Sequence, residues 1–186
     1  MVNKKKRFHF SNVKFFSVKT EDLKKEDIIS ICKLKNSYWK WTIKNQINWF
    51  KKNVKKKDIN VMLISNKKLV GYTLLRKRKA YNDKKKLNYL YFDTFMIDKK
   101  FRNKGLGEKL IKFNNNIIKK SKKHSFLICP KKVIPFYNKF GWKILQKNKF
   151  KVMDHKSNWF THNSKQNGMT YELNKREKKI FYFFNS

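Results

Sequence analysis

Along this 186-residue chain the spacing of apolar positions changes several times, and each change marks an element. Residues 87–97, Leu-Asn-Tyr-Leu-Tyr-Phe-Asp-Thr-Phe-Met-Ile, are nearly continuous in apolar and aromatic side chains, which suits a strand buried on both faces. A basic turn follows, Arg102-Asn103-Lys104-Gly105-Leu106-Gly107. Beyond it Leu106, Leu110, Phe113 and Ile117 recur at helical spacing, with Ile111 and Ile118 beside them. The order is strand, glycine-bearing turn, helix.

Upstream, residues 13–19 read as a first strand, and Thr20-Glu21-Asp22 as a turn and helix start. Ile28, Ile31, Cys32 and Leu34 form a helical stripe. An aromatic, polar link, residues 36–41, leads to a second helix with Ile43, Ile47, Phe50 and Val54 on one face and Trp49 near it. Residues 59–65, a turn at 66–68 and residues 69–78 form a hairpin, and 82–86 are a polar turn. Downstream, residues 125–129 are a short buried strand. Pro130 suits the start of a helix carrying Val133, Phe136, Tyr137 and Phe140, with Pro135 placed to distort it. Residues 143–152 and 168–173 read as a final pair of strands. The loop between them, 154–167, is long enough to be functional or mobile. The tail, 175–186, is basic and then aromatic from Ile180 to Phe184, and is expected to pack against the domain.

Composition agrees with one domain that has its own core: 40% hydrophobic and 16% aromatic residues. Cys32 and Cys129 lie far apart and fit no metal spacing, so a reduced, cytoplasmic chain is expected. The basic cluster at 4–7 runs into Phe8-His9-Phe10-Ser11-Asn12, which breaks any leader-like apolar run. Nothing approaches the ~20 apolar residues of a membrane span. The formal net charge is +37, from 49 Lys and Arg against 12 Asp and Glu. Such a charge suits nucleic acid or an anionic membrane. Here it is mostly lysine, spread evenly and accompanied by Asn, Ile and Phe, all favoured by AT-rich codons. Compositional bias accounts for it, and the field still attracts anions.

The glycine turn carries candidate chemistry. The first N–H groups of a helix lack internal partners, and the helix dipole is positive there. Glycines let a phosphate approach the backbone, and Arg102 and Lys104 add charge, so the turn is a candidate pyrophosphate cradle; a merely flexible turn is the plainer reading. It lacks the endings of a P-loop and of the dinucleotide fingerprint. Arg-x-x-Gly-x-Gly after an apolar strand instead resembles the coenzyme A loop of the GNAT superfamily of N-acetyltransferases. Phe136-Tyr137-Asn138-Lys139-Phe140-Gly141-Trp142 resembles that family's Phe-Tyr-x-Lys-x-Gly-Phe signature, with Trp142 in the last place. Leu69-Val70-Gly71-Tyr72 reads like its preceding hairpin. The resemblance spans residues 13–174, with a basic segment 1–12 before it and the tail 175–186 after it. It implies an α/β GNAT fold: a mixed sheet of six to seven strands, flanked by about four helices, with splayed central strands.

The resemblance implies roles by position. Acetyl-CoA is the implied acyl donor, with no metal. Its contacts are expected at Phe95, Met96, Ile97, Arg102, Asn103, Lys104, Gly105, Leu106 and Gly107, a backbone N–H in 95–97 polarising the thioester. Asp93 interrupts the apolar strand, where a buried carboxylate needs a partner or a role. It matches the family's base, and partial burial would raise its pKa. The alternative is a structural aspartate paired with a lysine. Tyr137 matches the general acid for the thiolate, against a plain core aromatic. The acceptor is expected between the link, at Tyr38, Trp39 and Trp41, the 154–167 loop and Asp93. Pro130 stands where many members have asparagine, which puts one pantetheine contact in doubt. Cys129 could act as a nucleophile, but a buried structural thiol is favoured. His155 and His162 default to solvent. Expected partners are a small-molecule amine, such as an amino sugar, and no specific nucleic acid, the chain being a monomer or homodimer. The competing class is a basic nucleic-acid- or ribosome-binding module on a degenerate acyltransferase scaffold.

Overall fold

The computed structural model describes residues 13–82, 85–153, 159–160, 166–172 and 180–184. In chain order the elements are β1 (Val13–Lys19), α1 (Lys25–Asn36), α2 (Ile43–Asn53), β2 (Ile59–Ser65), β3 (Lys68–Asn82), β4 (Lys85–Ile97), α3 (Leu106–Lys120), β5 (His124–Pro130), α4 (Ile134–Lys139), β6 (Lys143–Leu145), β7 (Phe150–Met153), β8 (Trp159–Phe160), β9 (Gln166–Tyr171) and β10 (Phe181–Phe184).

One mixed sheet runs β6-β9-β5-β4-β3-β10-β7-β8, and β1 and β2 add to the first half of β3. The apolar run of β4 is buried on both faces because helices cover both. On one face α1 and α2 bury Ile31, Cys32, Leu34 and Phe50 against Met62, Tyr72, Leu74 and Met96. On the other, α3 and α4 bury Leu106, Leu110, Ile111 and Tyr137 against Leu63, Leu75, Leu90, Phe92 and Ile97. A third cluster gathers Tyr89, Phe126, Phe150, Phe181 and Phe183 beyond them.

The described strands number ten rather than six to seven, for local reasons. Residues 143–152 are not one strand. Gln146-Lys147-Asn148-Lys149 has nothing apolar to bury, and a 3-10 turn at Lys147–Lys149 separates β6, on β9, from β7, on β10. The tail supplies a strand: β10 lies antiparallel to β3 and parallel to β7, with Phe183 stacked on Phe126 at 3.9 Å. Pro130 closes β5 and caps the 3-10 turn Lys131–Val133 that leads into α4. Pro135 sits in the first turn of α4, where no backbone N–H is needed, and causes no distortion. Residues 1–12, and most of the 154–167 loop with His155 and His162, lie outside the described residues. Among the described residues no helix is long and apolar enough to cross a membrane.

A buried ion pair ties β3 to the loop between α2 and β2. Arg78 donates to Asp58 at 3.0 Å, and both side chains are essentially inaccessible. The Asp58 carboxylate also accepts from the N–H groups of Lys55 and Lys77, which fixes the entry into β2.

Candidate active site

The site is built where β4 leaves its neighbour. β4 and β5 pair in parallel only at Tyr89, Leu90 and Tyr91. Further on, β5 stays with β9 to Pro130, while β4 stays with β3 to Ile97, so the sheet opens between them. The expected splay is therefore present.

A bulge reverses the facing of β4 at the same place. Tyr72 pairs with Met96 and Leu74 with Asp93, so Thr94 and Phe95 together oppose Thr73. Thr94 takes φ +55°, a left-handed conformation that threonine rarely adopts. Leu90 and Phe92 face α3 and α4, as do Phe95 and Ile97 after the bulge. Asp93 and Thr94 are thereby left to face α1 and α2. Bulges commonly re-aim side chains beside active sites.

On that face Asp93, Thr94, Lys35, Trp39, Trp41, Gln46 and Trp49 line a cleft of about 180 Å3. The Asp93 carboxylate accepts from the Thr94 hydroxyl at 3.0 Å and lies 3.5 Å from the Arg76 guanidinium. Its ion-pair partner is an arginine of β3, not one of the many lysines. Trp39 and Trp41 wall the mouth, being 45% and 51% exposed. Tyr38 does not line the cleft. Its hydroxyl donates to the carbonyl of Ile97 and accepts from the N–H of the same residue. Of the three N–H groups in 95–97, that of Ile97 is thus engaged, and those of Phe95 and Met96 at the bulge are the remaining candidates.

The glycine turn lies at the end of the same strand. Arg102 donates from Nε to the Ile97 carbonyl at 3.2 Å, and its guanidinium covers the Tyr38 ring at 4.8 Å. It therefore fastens the turn to β4 and the α1–α2 link. Asn103 and Gly105 take φ +58° and +74°, which swings the chain into α3. Gly105 is the N-cap and offers no side chain, so the first helical bond is Lys109 N–H to Gly105 C=O. Leu106, Gly107 and Glu108 keep N–H groups without a partner inside the helix. An added Cβ at Gly105 would meet nothing within 4 Å, and one at Gly107 only the Phe136 ring at 3.9 Å. Open space, free N–H groups and a positive helix end fit a pyrophosphate.

Tyr137 is on the opposite face, packed edge-on to Phe92, Phe95 and Trp142. Burial, and secondarily the Cys129 thiol, push its pKa up, so the phenol keeps its proton. The rest of the motif is structural. Gly141, at φ +84°, closes α4: its N–H donates to Asn138 and that of Trp142 to Tyr137, a Schellman ending. Lys139 pairs with Glu108 at 2.7 Å, bringing α4 onto the start of α3. Cys129 is buried, and desolvation pushes its thiol up to about 11, against a nucleophilic thiolate. His124 contacts the Glu172 carbonyl. Among the described residues no three His, Cys, Asp or Glu side chains are grouped to hold a metal.

Comparison with known proteins decides the family. The family model of the acetyltransferase (GNAT) domain matches residues 20–154, well over half of the chain. The chain belongs to the GNAT acetyltransferase family. Solved structures share the fold at low identity. Escherichia coli YhbS, a GNAT N-acetyltransferase in complex with CoA, matches at TM-score 0.63 and 10% identity, over 92% of this chain and 89% of that one. E. coli ElaA matches at TM-score 0.60 and 11% identity, over 85% and 98%. An aminoglycoside 6'-N-acetyltransferase complexed with coenzyme A matches at TM-score 0.61 and 9% identity, over 87% and 99%. A search of curated proteins finds no significant match.

Sequence reasoning missed Lys35, Gln46, Thr94 and Arg76. Lys35 had a signal: it falls three residues after Cys32, on the edge of the apolar stripe of this GNAT member's first helix. Arg76 had none of its own, because it opens the basic run Arg76-Lys77-Arg78-Lys79 and does not stand out from it.

Proposed function

We propose that this chain transfers an acetyl group from acetyl-CoA to a primary amine of a small molecule, by direct attack in a ternary complex in the cytoplasm. The observation that carries the reading is the opening between β4 and β5, with the uncapped start of α3 at its end. One feature offers backbone groups to the pantetheine arm, the other N–H groups to the pyrophosphate. CoA-bound neighbours with the same fold support acyl-CoA as the donor.

The roles follow from placement. The N–H groups of residues 106–108, with Arg102 and Lys104 beside them, hold the pyrophosphate. Phe95 or Met96 N–H polarises the thioester carbonyl at the bulge. The acceptor enters the cleft walled by Trp39 and Trp41, and Asp93 takes the ammonium proton, directly or through water. The deprotonated amine attacks the carbonyl carbon, the C–S bond breaks, the thiolate takes a proton from Tyr137 across the opening, and the second proton of the amine nitrogen, released as the amide forms, restores Tyr137 through solvent. Holding donor and amine together supplies much of the rate.

A thioester-release assay across classes of amine tests this. Amine-dependent release of the coenzyme A thiol is expected. No release with any amine, together with RNA binding that persists unchanged at high salt, would favour the nucleic-acid-binding alternative.

A further inference from the structure

The acceptor cleft contains a cation that the reaction described above does not use. Lys35 is only 5% exposed, and among the described residues its ammonium has neither a hydrogen bond nor an ion pair. It sits over the Trp49 ring at 3.6 Å and is 5.9 Å from that of Trp39. Beside it, Gln46 is 1% exposed. Its amide nitrogen donates to the Trp39 carbonyl, and its Oε1 is buried without a partner. Asp93 also lines the cleft. One small space therefore presents a cation, an acceptor oxygen and a carboxylate, between apolar aromatic walls.

Burying polar groups without partners is unfavourable, so the Lys35 ammonium and Gln46 Oε1 describe what completes them. The ammonium calls for an anion and Gln46 Oε1 for an N–H donor, while Asp93, already held by Thr94 and Arg76, adds a carboxylate facing the same space. We propose that the acceptor is an amine that also carries a carboxylate, with the carboxylate on Lys35, the amine toward Gln46 and Asp93, and a small apolar or aromatic body against the tryptophans. This rests on the acetyl-transfer reading and narrows its acceptor. The volume, about 180 Å3, is below the ~300–1,000 Å3 of sites for drug-sized ligands. Polycationic acceptors fit poorly, because their further ammonium groups would meet Lys35 and Arg76. Lys35 is also an anion binder rather than a base at neutral pH. Burial lowers its pKa to about 8, Asp93 and Cys32 raising it and Arg76 lowering it, so at pH 7 it is mainly ammonium.

The test pairs acids with their amides: L-leucine, L-phenylalanine and 4-aminobutyrate, each beside the corresponding amide. Binding is read from tryptophan fluorescence, with and without coenzyme A, and transfer from thioester release. At least one acid should bind about tenfold or more tighter than its amide, the loss expected for a hydrogen bond to a charged group. Lys35→Met should bring that acid down to the level of the amide, while coenzyme A binding reports that the fold is intact. Lys35→Arg should keep the preference, and keep it above pH 8, where in the wild type it fades as Lys35 loses its proton. The groups facing Lys35 are Cys32 on α1, Asp93 on β4 and Arg76 on β3; α2 offers only Trp49 and Gln46. Acids that bind no tighter than amides, or a preference untouched by Lys35→Met, would overturn the inference. The two failures read apart: amides acetylated freely leave acetyl transfer standing, whereas selective acid binding with no thioester consumed removes transfer alone.

Discussion

Replacing Gly107 by alanine should stabilise the chain and weaken acetyl-CoA binding, two effects of opposite sign from one methyl group. Gly107 lies in the first turn of α3, and an added Cβ would meet only the Phe136 ring, at an ordinary 3.9 Å. The protein therefore has no steric objection. Alanine loses less backbone entropy than glycine in a helix, a gain of ~0.5–1 kcal/mol. For a chain of this size each kcal/mol shifts Tm by roughly 2–4 °C, so a rise of about 1–4 °C is expected. The same methyl stands where a phosphate would approach the free N–H groups of residues 106–108. Displacing one hydrogen bond to a charged group costs roughly 1.5–3 kcal/mol, on the order of 10- to 100-fold in affinity. Gly105 cannot serve this test. At φ +74° any side chain is strained by roughly 1 kcal/mol, although nothing lies within 4 Å, so Gly105→Asp mixes backbone strain with charge repulsion. Calorimetric melts and isothermal titration read the two quantities separately. A raised Tm with unchanged affinity would refute the placement of the pyrophosphate on this turn.

Three further outcomes are expected. Asp93→Asn and Tyr137→Phe should each leave acetyl-CoA affinity nearly intact and lower kcat by ~10²–10⁴-fold, with partial recovery at high pH only for Asp93→Asn; wild-type turnover by Asp93→Asn at neutral pH would remove it from the mechanism. Asp58→Ala should lower stability by roughly 3–5 kcal/mol in urea unfolding, because the buried Arg78 guanidinium loses its carboxylate, and a loss under ~1 kcal/mol would contradict this. Lys35 titrates at about 8 in the folded chain against 10.5 ordinarily, so between these values the unfolded chain binds more protons and stability rises with pH. Wild type should therefore gain on Lys35→Met from pH 8 to 10 in paired melts, and a difference that is flat with pH would show that Lys35 is not desolvated.

What the sequence disclosed depended on residues whose physics is local. A continuous apolar run is a doubly covered strand almost by necessity, and the glycines after it marked the start of α3 before any contact was known. Asp93 stood out because a carboxylate in such a run needs a reason. The bulge that aims it was invisible, since threonine at φ +55° carries no sign in the sequence. Lys35, Gln46 and Trp49 come together only when α1 and α2 settle on β4, a tertiary event that periodicity cannot report. Tyr38 was correctly placed in the link between those helices, yet its hydroxyl seals Ile97 rather than facing the cleft. In the same way the strand character of the tail was masked by its position. Phe181 and Phe183 find their place only because the far half of β3 offers an open edge.

The most direct test of the central claim is isothermal titration of acetyl-CoA into the folded protein at two salt concentrations. A cradle made of backbone N–H groups and shape predicts saturable binding of one equivalent that survives moderate salt. Attraction by the +37 charge alone predicts weak, unsaturable heats that vanish as salt rises. That second result, from a protein shown to be folded, would contradict the assignment of acetyl-CoA as its acyl donor.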